Sequence, residues 1–178
     1  MSRWARSLRD ERGGIAVEAA LLFPIVLMLL LMAADTMNYF ITIRKLSASA
    51  ATAADLLASA GDMVDQAELT AIANAAAPSG VASAMQTGVG ITFQVYEIVD
   101  DYQAPRWEFA SDNGNYCGSP GMDVSNLMTD GADVLVIGAC GYWRPHTFHV
   151  LGMEPRNIVQ YSIVRPKASL TTLCTDCY

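Results

Sequence analysis

The sequence predicts an α+β protein: a long N-terminal transmembrane helix that extends beyond the bilayer, a second helix, and a small antiparallel β-sheet domain. Three observations predict it. Ala19 to Ala34 reads AALLFPIVLMLLLMAA, sixteen residues without a charge. Thr36 to Ala60 contains neither proline nor glycine and is rich in strong helix formers. After Gly88 come four β-rich runs separated by Gly, Asp and Asn turns.

The first element is the spanning helix. Extended back to Ile15, the apolar run covers twenty residues interrupted only by Glu18, and about 20 such residues cross a hydrocarbon core of about 30 Å. A cleaved secretory signal has a shorter apolar region with a small-residue site close behind it. Here the only such stretch, Ser47-Ala48-Ser49-Ala50, lies more than a dozen residues beyond Ala34. Arg3, Arg6, Arg9 and Arg12 precede the run, whereas Arg44 and Lys45 follow it. Excess Lys/Arg marks the cytoplasmic flank, so the N-terminus is expected inside. Pro24 is tolerated in lipid when neighbours satisfy the freed carbonyl. Glu18, about a turn inside the expected helix start, can reach the headgroups, and its charge suits a helix N-terminus.

Beyond the bilayer the helix is expected to continue as a rod to Ala60, with Gly61 as its stop. Leu46, Ala50, Ala53, Ala54 and Leu57 recur at helical spacing and predict one buried side, its distal part against the protein's own domain. A second helix is predicted over Gln66–Ala77, with Asp65 as N-cap, Glu68 three residues on, and Val64 and Leu69 at the staple positions. The predicted strands are Ile91–Ile98, alternating and so half-buried, Arg106–Ala110, the more deeply buried Asp133–Trp143, and Asn157–Val164. Three segments result: 1–14 as a basic leader, 15–60 as spanning helix and rod, and 61–178 as the outer α+β domain.

The net charge of −7 argues against a nucleic-acid partner, because phosphate binding needs a basic face. All four cysteines, Cys117, Cys140, Cys174 and Cys177, lie in the second half of the chain, which fits an oxidising compartment. Four cysteines allow three pairings. The preferred one is Cys117–Cys140 with Cys174–Cys177.

The order Arg12-Gly13-Gly14-Ile15-Ala16-Val17-Glu18 before an apolar run resembles type IV pilin-like precursors. With Asp10-Glu11, Pro24, Asp35, Tyr39, Arg44-Lys45-Leu46 and the Ala/Ser-rich stretch Ser47–Ala54, it resembles the TadE/TadF/TadG-like minor pseudopilins of the tight-adherence (Flp) pilus system. The resemblance covers about residues 9–58. One departure is Ala19, which stands where the family usually carries an aromatic residue. The resemblance implies a protein of the bacterial inner membrane with its N-terminus in the cytoplasm and its domain in the periplasm. It implies a structural part in pilus biogenesis and surface adhesion. Its implied partners are membrane lipid, other pilins and the assembly machinery, with a prepilin peptidase that cuts after Gly13 to leave Gly14 as N-terminus and Glu18 as fifth residue.

Rival readings are weaker. An unprocessed signal-anchored periplasmic binding or scaffold protein has the same anchor and domain. Cys174-Thr175-Asp176-Cys177 has redox-motif spacing, but such thiols open a helix, and only Tyr178 follows here. His146 and His149 have no further ligands at zinc-type spacing. Neither a phosphate-binding loop nor a nucleophile elbow is present. No catalytic residue, metal or cofactor is therefore expected.

Overall fold

The computed structural model describes residues 11–60, 64–77, 88–99, 102–111, 116–118, 121, 124–125, 134–145, 154–165 and 174. The element order is α1 (Glu11–Ser59), α2 (Gln66–Ala76), β1 (Gly90–Val99), β2 (Tyr102–Ala110), β3 (Val134–Trp143) and β4 (Arg156–Val164). The expected α+β architecture is what the chain adopts.

Helix α1 is 49 residues long and continues through Pro24, which at about 1.5 Å per residue makes a rod of about 70 Å. It begins earlier than the apolar run suggested. Glu18 therefore lies about two turns inside it rather than one. The Leu46–Leu57 face is buried as its periodicity predicts, every one of its apolar positions being at most 1% exposed. Packing against the domain does not wait for the distal part, however. Asp35 and Thr42 are already buried, and Tyr39 meets Trp143 edge to face, with ring centroids 5.1 Å apart.

Helix α2 starts where its cap demands. The Asp65 carboxylate accepts a hydrogen bond from the Glu68 backbone N–H at 2.7 Å, satisfying one of the orphan donors of the first turn. Val64 and Leu69 are both buried beneath it. Leu69, Ile72, Ala73 and Ala76 form its inward stripe, and the small side chains of Ala50, Ala53 and Ala54 share that core.

The four strands form one antiparallel sheet in the order β2-β1-β3-β4. One face carries Ile91, Phe93, Val95, Trp107, Leu135, Ile137, Ala139 and Ile158 into the core shared with both helices. The alternation in β1 nevertheless misleads: Thr92 and Gln94 are as buried as their apolar neighbours. β1 is covered on both faces and is not half-buried. Strand β2 begins four residues before the expected Arg106. It includes Pro105, opposite Tyr96, at the point where the β1–β2 register shifts. A proline lacks the N–H that a regular ladder needs, and an edge position beside an irregularity tolerates it.

Candidate functional site

Two regions of the described structure hold most of the predicted site residues. The first is the N-terminal half of α1. From Val17 to Leu31 its large apolar side chains are exposed, and none of its most apolar eighteen-residue stretch is buried inside the protein. Burying such a surface is worth about 25 cal/mol per Å², so a helix left apolar on every side is suited to lipid rather than water. It is one helix long and apolar enough to cross a membrane.

Gly13, Gly14 and Glu18 lie at the entrance to this stretch. Both glycines fall within the first turn of α1. Gly14 is exposed with nothing within 4 Å of where a Cβ would stand. Glu18 is also exposed, one turn further on.

The second region is the sheet face turned away from the helices. Cys117 and Cys140 are joined in a disulfide across a sequence separation of 23, with Cα atoms 5.3 Å apart. Closing a loop of that length constrains the unfolded chain by about 3 kcal/mol. The bridge pins residues 116–118 onto the sheet. Cys117 N–H donates to Thr92 Oγ1 at 3.2 Å, and the Tyr161 hydroxyl donates to the Cys117 carbonyl at 3.2 Å. Val124, fully buried, packs with Tyr96, Val134 and Val136 on the same face.

That cover explains the buried polar residues of β1. Gln94 Nε2 donates to Glu108 Oε1 at 2.8 Å, and the Tyr96 hydroxyl donates to Gln94 Oε1 at 3.1 Å. Tyr116 is hydrogen-bonded to Glu108, which raises its phenol from 10.0 to about 12. Burial pushes the Tyr161 phenol up, with Tyr96 adding to it. The network satisfies its own members, as buried polar groups require, and its chemistry is that of a rigid scaffold.

Cys174 is disulfide-bonded as well. Cys177, His146 and His149 lie outside the described residues. Among the described residues no group of three or more His, Cys, Asp or Glu could hold a metal ion. The residues that sequence reasoning missed are Tyr39 and Trp143, which join α1 to the sheet. Thr42, Tyr39 and Asp35 continue the Leu46–Leu57 stripe backwards, but two of the three are polar, so hydrophobic periodicity does not reveal them.

Residues 13–55 match a family model described as TadE-like protein. The matched segment runs from the glycine pair through the apolar stretch and over most of the helix face that docks the domain. The family points to a protein associated with a tight-adherence pilus. No curated protein and no solved structure matches the chain.

Proposed function

We propose that this protein is a membrane-anchored minor pseudopilin, or assembly factor, of a tight-adherence pilus, acting structurally in pilus biogenesis and surface adhesion. The observation that carries the reading is a coincidence on one helix. The TadE-like match contains the most apolar stretch of α1, none of which is buried among the described residues.

In this reading the inner membrane surrounds that stretch. The arginine-rich residues 1–14 stay in the cytoplasm by their charge, and the domain over 61–178 faces the periplasm, where disulfides persist. A prepilin peptidase cuts between Gly13 and Gly14. Because both glycines are helical in α1, cleavage requires the first turn to open. Glycine is about 1 kcal/mol worse than alanine in a helix, so a Gly-Gly pair at a fraying end opens readily. The new ammonium at Gly14 then stands four residues before Glu18, the spacing at which helical side chains of opposite charge meet. Other pilins and the assembly machinery are its partners, engaged through α1 and the outer domain.

Ala19 favours a second reading, because the family's usual aromatic residue is missing beside the processing glutamate. In that reading the protein keeps its leader and works as a signal-anchored periplasmic binding or scaffold protein. The mass of the mature protein separates the two: an N-terminus at Gly14 supports the pseudopilin, and retention of Met1 supports the anchor. A deletion strain that assembles normal pili would remove both pilus roles.

A further inference from the structure

The apolar surface of α1 does not end evenly around the helix. On the side facing the domain it stops at Asp35, which is 3% exposed and packed within the protein. On the opposite side it runs on. Met37 and Phe40 are 66% and 58% exposed, and Ile41 is exposed beside them. With Ala33, Thr36 and Arg44 these residues line an open groove of about 540 Å³, within the size range of about 300–1,000 Å³ typical of ligand sites. On this side the run of exposed large apolar side chains ends at Ile41, one turn before Arg44 and Lys45.

Ile41 lies seven positions beyond Ala34, so the free face stays apolar for about 10 Å further along the rod. A helix with unequal apolar lengths on its two sides matches a bilayer by tilting. Here the tilt lays the free face down and lifts the domain away. An aromatic ring followed by basic residues is the order found at a membrane–water interface. A partner helix would instead favour small residues, which permit close approach. Met37, Phe40 and Ile41 are large.

We infer that this groove seats an anionic phospholipid of the leaflet on the domain's side, its acyl chain against Met37, Phe40 and Ile41 and its phosphate at Arg44. The groove is continuous with the lipid-facing surface of Val17–Leu31, and a phosphate complements the guanidinium. The inference rests on the anchor reading of α1.

Fluorophores attached after Leu27→Cys, Phe40→Cys or Ala48→Cys test it, with the full chain in vesicles of brominated phosphatidylcholine, with and without brominated phosphatidylglycerol. Position 27 reports on the anchor itself. If it is unquenched, the anchor reading fails and the groove inference falls with it. With position 27 quenched, quenching at position 40 and little at position 48 is the expected result. An unquenched position 40 overturns the inference alone, and energy transfer between labelled copies would hand the groove to a second chain. The preference of position 40 for brominated phosphatidylglycerol should fall about fivefold in Arg44→Gln, as expected for one basic residue at an anionic surface. Arg44→Lys should retain it. An unchanged preference in Arg44→Gln overturns the phosphate contact.

Discussion

Gly138 shows how a single missing methyl organises the outer sheet face. A Cβ there would meet Tyr161 Cε1 at 3.0 Å and Cys117 Cβ at 3.2 Å. The glycine lets the tyrosine ring and the disulfide lie flat on β3. In Gly138→Ala the ring can shift, but the bridged Cys117 has little freedom. Overpacking costs about 1–3 kcal/mol, and relief of glycine's backbone entropy offsets about 0.5–1. Denaturant unfolding with the disulfide intact should show a net loss of about 1–2 kcal/mol by this balance. Tyr116 carries a different signature. Its neutral phenol donates to the Glu108 carboxylate, and ionisation would set two negative charges together, which is why it titrates near 12. Because the folded value is raised, the pair's contribution is complete below about pH 10 and is lost as pH rises toward about 12. Glu108→Gln should move one tyrosine equivalent in the ultraviolet titration downward, toward about 10. An unchanged curve would contradict the contact.

At the level of elements, local chemistry made α2 readable to within a residue. Its start depends on one carboxylate: Asp65→Ala should cost about 1 kcal/mol, while Asp65→Asn should cost much less. Thermal unfolding monitored by circular dichroism would measure both. The distal face of α1 was equally legible, since Leu46, Ala50, Ala53 and Leu57 obey the helical period without interruption. Its proximal face was not, because Asp35 and Thr42 are polar residues buried within an apolar stripe, and a periodicity argument stops at them. Strand β1 was placed correctly and assigned the wrong environment. Thr92 and Gln94 look outward by composition, yet residues 116–118 and Val124 cover them. That cover depends on Cys117 pairing with Cys140, and spacing alone left three pairings open. The glycine–glutamate approach to the apolar run was plain in the sequence. Its helical state, from Glu11 onward, was not, since two adjacent glycines argue locally against a helix.

Taken whole, the molecule places surfaces suited to two solvents on one continuous helix, and on the side facing the sheet the change occurs at Asp35. Before it none of the most apolar stretch of α1 is buried among the described residues. After it α1 packs against β3, β4 and α2. The angle at which the sheet stands off the apolar half of α1 is therefore set by whatever holds it to the first turns beyond Ala34. The Tyr39–Trp143 edge-to-face pair lies just beyond that point. Trp143 ends β3, so the ring couples the sheet directly to the helix where it leaves the apolar stretch. Such pairs contribute about 0.5–1.5 kcal/mol beyond the area they bury. A double-mutant cycle with Tyr39→Leu and Trp143→Leu should return a coupling in that range, whereas pairing Tyr39→Leu with the distant Asp65→Ala should be additive to within about 0.5 kcal/mol. If the joint also sets domain orientation, proteolysis near residue 39 should accelerate in the Trp143→Leu protein while the disulfide-bridged sheet stays intact. Equal cleavage in both proteins would show that the rest of the α1–sheet interface holds the domain upright by itself.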